Sequence, residues 1–115
     1  MPLSGLDAFS LQPLVLQGEV TVIEALSFWG GVDATTGCII DQHHPQLGLC
    51  LSKKLIYMSR SRGSSSSSSV LAECIRLGTA PAAMLLDKPD PIILVGVLVA
   101  KELYGLKMPV LIASP

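Results

Sequence analysis

Hydrophobic positions in this chain fall into short strand-like clusters up to Met58, and into alternating strand-like and helix-like runs after it. Leu14 to Ile23 is rich in Leu, Val and Ile and is broken by Gly18, which predicts one bent strand or two short ones. Cys38 to Asp41 predicts another short strand, and Lys54 to Met58 has a strand's apolar content. The spacing of Val70, Leu71, Cys74 and Ile75 then predicts a helix from about Ser66 to Leu77, closed by Gly78. Pro81 to Leu86 is apolar enough for a strand buried on both faces. Ile92 to Gly96 reads as a short strand or as the approach to a helix, which Val97 to Tyr104 forms and Gly105 ends. Val110 to Ile112 makes the last strand. Strand, helix, strand, helix, strand is the pattern of an α/β domain with a parallel or mixed sheet, here packed with a β-rich first half. Residues 1 to 13 carry Pro2, Gly5 and Pro13 and show no sustained period. They are expected to be a loosely attached lead-in to a domain at residues 14 to 115.

Composition narrows the class. A chain of 115 residues suits one domain with a modest core, and 50% hydrophobic content with only 4% aromatics requires that core to be aliphatic. The net charge of −1 offers no broad basic surface for nucleic acid or an anionic membrane. Mean hydropathy is positive, but the longest apolar stretch, Pro91 to Ala100, is too short for a membrane-spanning helix. Asp7 interrupts the start and no basic segment precedes an apolar core, so no signal peptide is expected and the chain is read as cytoplasmic. Cys38, Cys50 and Cys74 are odd in number and widely spaced, and are expected to be buried free thiols rather than a disulfide framework or metal site. His43 and His44 are the only histidines. Neighbours in extended chain point to opposite sides, so a surface turn or subunit contact is expected there, not a metal.

Two loops carry candidate chemistry. Arg60-Ser61-Arg62-Gly63 followed by Ser64 to Ser69 resembles a flexible linker in composition, yet it is clamped between a strand and a helix. Gly63 permits a positive φ, and the serines after it can cap a helix whose N–H groups face outward. Such a helix end favours a carboxylate, a phosphate or a developing alkoxide, and Arg60 and Arg62 add positive charge beside it. The simpler alternative is a serine-rich helix start that only satisfies its own N–H groups. The second loop, Ser27 to Gly37, holds Phe28, Trp29 and three glycines. It serves either as an aromatic plug over the sheet edge or as a wall for a ligand or partner.

The combination of Ser27-Phe28-Trp29-Gly30-Gly31-Val32-Asp33, Thr36-Gly37, His44-Pro45, Gly48 and Arg62-Gly63-Ser64-Ser65 resembles the small subunit or swivel domain of the aconitase X family of dehydratases. The resemblance covers roughly residues 14 to 112. It implies a swivelling β/β/α domain that closes over an iron–sulfur cluster carried by a larger catalytic subunit or domain, with no cofactor bound by this chain. It also implies a small hydroxy-acid substrate. In ordinary aconitases the swivel loop reads Gly-Ser-Ser-Arg, its first serine acting as base and its arginine gripping a carboxylate. By position Gly63 matches the glycine, Ser64 the catalytic base and Ser65 the second serine, whereas Ser66 stands where the arginine would be. A tricarboxylate is therefore not the expected substrate, because serine cannot replace a bidentate guanidinium. Arg62, Gly63 and Ser65 are the expected substrate-binding residues, and Phe28, Trp29, Gly30 and Gly31 the expected partner-facing ones.

Two family activities are dehydration of cis-3-hydroxy-L-proline and dehydration of a phosphorylated mevalonate. Trp29 and the His-His-Pro turn incline the resemblance to the first. Small subunits of the family continue past the final strand, so Pro115 is read as the end of a truncated or excised domain. Alternatives from other classes are a non-catalytic assembly domain and a phosphohistidine-type swivel carrier, the latter limited to His43 or His44 as its acceptor. With three cysteines on separate predicted elements, the chain by itself is expected to contain no stoichiometric iron or sulfide on elemental analysis.

Overall fold

A computed structural model of the chain describes residues 2 to 113; Met1, Ser114 and Pro115, including the proposed truncation point, lie outside the described residues. Among the described residues, eight strands and three helices follow one another as β1 (Pro2–Asp7), β2 (Pro13–Gln17), β3 (Val20–Val22), α1 (Phe28–Gly31), β4 (Val32–Asp33), β5 (Cys38–Ile39), β6 (Leu55–Tyr57), α2 (Ser65–Leu77), β7 (Ala83–Leu86), α3 (Pro91–Tyr104) and β8 (Val110–Ile112). Six strands form one mixed sheet in the order β2-β1-β8-β7-β6-β3, and β4 and β5 form a separate hairpin. Strands β3, β6, β7 and β8 run parallel, while β1 is antiparallel to both β8 and β2.

The edge strands β2 and β3 are consecutive in the chain, and this dictates the sheet's shape. A flat six-stranded sheet would hold its outer strands about 24 Å apart, but the step from Gln17 to Val20 can reach at most about 11 Å. The sheet must therefore curl until its two edges approach. Gly18, with φ +143°, makes the bend, and a β-carbon there would lie 2.8 Å from Leu55 Cδ1. The Leu14 to Ile23 segment is thus two short strands, each pairing with a different edge.

The expected loose lead-in is corrected by β1, which lies between β2 and β8. Its glycine and flanking prolines read as punctuation in sequence, but Gly5 is a packing position: a β-carbon there would meet the Ile112 carbonyl oxygen at 2.5 Å. The strand alternative for Ile92 to Gly96 is corrected as well. Asp90 accepts the N–H of Ile92 at 3.0 Å and Pro91 occupies the first helical position, so one continuous helix starts there.

Helices α2 and α3 pack on each other. Gly96 makes the close approach possible, because a β-carbon would lie 2.9 Å from the Ser68 carbonyl oxygen and 3.1 Å from Leu71 Cβ. The core is aliphatic, with Ile56, Met58, Leu71, Met84, Leu86, Ile93 and Val110 essentially fully enclosed. All four residues of β7 are buried, as the sequence pattern predicts. Helix α2 ends at Gly78 in the left-handed conformation, φ +78°, also as predicted.

The expectation of three free thiols is corrected. The 41 to 49 segment folds Cys50 back beside Cys38 in an antiparallel bridge, and the two form a disulfide; spacing alone gave no sign of this because the pairing depends on a long-range reversal. Cys74 is free and buried, and burial pushes its thiol above its ordinary value. Replacing Gly96 with Val should destabilise the domain by about 1–3 kcal/mol, through overpacking against Ser68 and Leu71. Chemical denaturation monitored by circular dichroism would measure this as a lowered midpoint with an unchanged slope.

Candidate functional site

The C-terminal ends of the parallel strands gather three loops on one edge of the sheet, the usual location for a site in α/β domains. Ile23 to Ser27 follows β3, Met58 to Ser64 follows β6, and Asp87 to Asp90 follows β7. The β6 loop is held at two points. Ser61 donates both its N–H and its hydroxyl to Asp90 Oδ2 at 2.8 Å, and the Arg62 N–H donates to the Leu26 carbonyl at 3.0 Å. Asp90 Oδ1 meanwhile caps α3, so one carboxylate joins the serine loop to the start of the neighbouring helix.

Past Arg62 the backbone turns at Gly63, φ +100°, and Ser64 becomes the N-cap of α2. The Ser64 hydroxyl accepts the Ser66 N–H at 3.4 Å, and its carbonyl accepts the Ser67 N–H at 2.9 Å. Gly63, Ser64, Ser65 and Ser66 are exposed, as are Arg60 and Arg62, whereas Ser67 and Ser68 are buried. The six-serine run is therefore no tether: its first three residues present an open helix N-terminus and the next two are built into the interior. Neither Arg60 nor Arg62 forms an ion pair among the described residues, where Arg76 pairs with Glu73. Their charge is free to act on whatever approaches the helix end.

The aromatic loop lies directly against this turn. A β-carbon on Gly63 would sit 2.5 Å from Ser27 Oγ and 2.7 Å from Ser67 Oγ. Trp29, 64% exposed, has a non-helical backbone inside α1, as does Gly30, so α1 is a pair of turns rather than a regular helix. Trp29 and Gly30 face solvent as the partner-facing expectation requires, but Phe28 and Gly31 do not. Phe28 is 1% exposed within the core, and Gly31 is buried against Leu26, so these two positions are corrected to structural ones.

The His-His turn divides in the same way. His43 is exposed, but His44 is buried: its Nδ1 accepts the Gln46 N–H at 3.0 Å, which leaves Nε2 to donate to the Glu24 carbonyl at 3.0 Å. Gln46 Oε1 accepts the Glu24 N–H at 3.1 Å. This pair holds the chain just before the aromatic loop, and the surface-turn expectation survives for His43 alone. Among the described residues no group of three His, Cys, Asp or Glu converges as metal ligands would. No helix among them is long and apolar enough to cross a membrane.

Sequence reasoning missed Ser27, Ser67, Asp90 and the pair Tyr57–Asp87. Their roles depend on contacts between residues 29 to 40 positions apart, which periodicity does not encode. Capping by Asp90 ahead of Pro91 was the one signal available in sequence. Tyr57, at the end of β6, donates to Asp87 Oδ1 at 2.7 Å, beside a cleft of about 550 Å³ lined by Ser59, Arg60, Ser61, Lys88 and Asp90. That hydrogen bond, followed by desolvation and the Asp87 charge, raises the tyrosine's ionisation above its ordinary value near 10. A raised folded-state value means that the contribution to stability is complete below about pH 10 and lost as pH climbs through the folded-state value. In a Tyr104→Phe background the remaining tyrosine should ionise late in an ultraviolet titration, and Asp87→Asn should bring it back toward the ordinary value.

Three comparisons bear on this arrangement. The family model of the aconitase X swivel domain matches residues 8–115. Over 85 residues the chain is 49% identical to a cis-3-hydroxy-L-proline dehydratase of Pseudomonas aeruginosa, covering 74% of this chain and 15% of that protein. Over 87 residues it is 37% identical to the phosphomevalonate dehydratase small subunit of Pyrococcus abyssi, covering 75% of this chain and 67% of that subunit. The crystal structure of Thermococcus kodakaraensis aconitase X superposes with a TM-score of 0.78 and 26% identity, covering 97% of this chain and 79% of that one. The chain therefore spans only a small part of the long dehydratases and most of a separate small subunit. The curled α/β sheet, the Gly63-Ser64 turn at the head of α2 and the match over residues 8–115 agree: this chain belongs to the aconitase X swivel domain family.

Proposed function

We propose that this chain is the swivel subunit or domain of an aconitase X-type hydro-lyase, and that Ser64 is its catalytic base. The observation that carries the reading is the exposed Ser64 at the N-cap of a 13-residue helix, immediately after a glycine with positive φ. In the dehydration, Ser64 Oγ removes the proton α to the substrate carboxylate. The electron pair of that C–H bond forms the new double bond, and the β-hydroxyl leaves with its bonding pair and takes up a proton from solvent or from an acid on the larger partner to become water. Acceptance of the leaving hydroxyl falls to a larger catalytic partner, which on this reading also carries the family's iron–sulfur cluster.

A serine hydroxyl is a weak base, so its deprotonated form needs strong electrostatic support. The N-terminus of α2 supplies partial positive charge, and Arg62 and Arg60 add full charges on the adjoining turn. Arg62, the Gly63 backbone and Ser65, which opens α2 where N–H groups lack intrahelical partners, hold the substrate carboxylate. Trp29 and Gly30 dock the larger partner beside Ser64.

The 49% identity to a cis-3-hydroxy-L-proline dehydratase supports that substrate for the assembled enzyme. A second reading, the small subunit of a phosphomevalonate dehydratase, is favoured by the match spanning 67% of one such subunit. Turnover of the reconstituted enzyme with each substrate separates them. Ser64→Ala should lower kcat by at least about 100-fold while leaving assembly intact; normal turnover would reduce this chain to an assembly domain. Trp29→Ala should weaken association with the large partner or raise KM while the domain stays folded, because a side chain 64% exposed leaves no core cavity when removed. Titration of the variant with the large partner, alongside its thermal melt, checks both parts.

A further inference from the structure

The Trp29 backbone is closed into a ring by two serine hydroxyls. Its N–H donates to Ser67 Oγ at 3.2 Å, Ser67 and Ser27 share a hydroxyl–hydroxyl bond of 3.0 Å, and Ser27 donates to the Trp29 carbonyl at 3.0 Å. Each hydroxyl has one proton, which fixes the direction. Ser27 spends its proton on the Trp29 carbonyl, so the shared bond must run from Ser67 to Ser27. Every donor in the ring is used once, and the ring begins and ends on the residue that carries the exposed indole.

The same two oxygens bound the space above Gly63, at 2.5 and 2.7 Å from where a β-carbon would stand. The ring therefore touches the exposed Trp29 on one side and the turn presenting Ser64 on the other. Helix formation does not require the Ser67 hydroxyl. Ser64 already caps α2, alanine is the better helix former inside it, and Ser67 is 0% exposed, so its hydroxyl finds no water. What the hydroxyl serves is the Trp29 backbone.

We propose that Ser67 is a positioning residue which, through this ring with Ser27, couples docking of the larger partner at Trp29 to the placement of Ser64; the inference rests on Ser64 as base and Trp29 as docking residue. Partner contact that moves or orders Trp29 reaches the Gly63-Ser64 turn through two hydroxyls and no flexible side chain.

The test uses the assembled enzyme with Ser67→Ala, Ser27→Ala, the double variant and Ser27→Thr. Each alanine variant removes two of the three hydrogen bonds of the ring and should lower kcat about tenfold, with KM unchanged to within about twofold. The double variant should be no worse than either single one, because the ring breaks only once, and Ser27→Thr should restore the rate. Peptide-resolved amide exchange should rise around Trp29 and around Gly63 in the alanine variants and stay unchanged in β7 and α3. Additive losses, unchanged kcat in Ser27→Ala, failure of Ser27→Thr to rescue, or exchange rising throughout the domain would each overturn the proposal. If Ser67→Ala does not fold, the Ser27 pair alone decides. Should Ser64→Ala retain turnover while exchange and coupling behave as expected, the base assignment fails and the ring stands as a docking element only.

Discussion

The head of α2 has room for a hydrogen where most residues carry a β-carbon, and much of the site follows from that constraint. Because Ser27 and Ser67 oxygens occupy the space over Gly63, only glycine can turn there at φ +100°. The turn leaves Ser64 outside the fold and Ser67 inside it, three residues along the same helix. It also presses the loop after β3 against the loop after β6, so that the Trp29 backbone and the Gly63-Ser64 turn share the Ser27 and Ser67 hydroxyls. A β-carbon at this point would clash with both serine oxygens, so the contact between the two loops would have to shift.

Around that contact, polar groups that are costly to bury are used to join elements. Ser68 donates its hydroxyl to the Ile92 carbonyl at 2.7 Å, tying the first turns of α2 and α3 together. Asp90 divides its two oxygens between the serine loop and the cap of α3. His44 and Gln46 hold Glu24 by its backbone. Among the described residues no buried side-chain nitrogen or oxygen lacks a partner. A half-satisfied network would be worse than an apolar one, so these joints give the loops defined positions as well as attachment.

The electrostatics suit a developing negative charge more than a resting one. Arg60, Arg62 and the N-terminus of α2 lie on the Ser64 side, while the nearby carboxylates are engaged: Asp90 accepts from Ser61 and caps α3, and Asp87 accepts from Tyr57. Solvent would screen such charges in the free domain. On the proposed reading, a docked partner would exclude that solvent and strengthen them.

Local chemistry made several features legible in the sequence. The β6-α2-β7-α3-β8 order, the α2 stop at Gly78, the buried β7 and the Gly63-Ser64 helix start all follow from periodicity and from residues whose conformational preferences act over a few positions. The family resemblance carried by Trp29-Gly30-Gly31 and Arg62-Gly63-Ser64-Ser65 was legible for the same reason, since those residues lie in contiguous turns. Tertiary structure decided the rest. Whether Phe28 or Trp29 faces outward, whether Cys38 meets Cys50, whether residues 2 to 7 join the sheet, and which serines of a six-serine run turn inward all depend on what the curled sheet brings beside them. Gly63 and helical spacing mark Ser64 as the cap and Ser67 as lying on the Leu71 face, but such partners lie tens of residues away in the chain, and only packing sets Ser27 and Trp29 against Ser67.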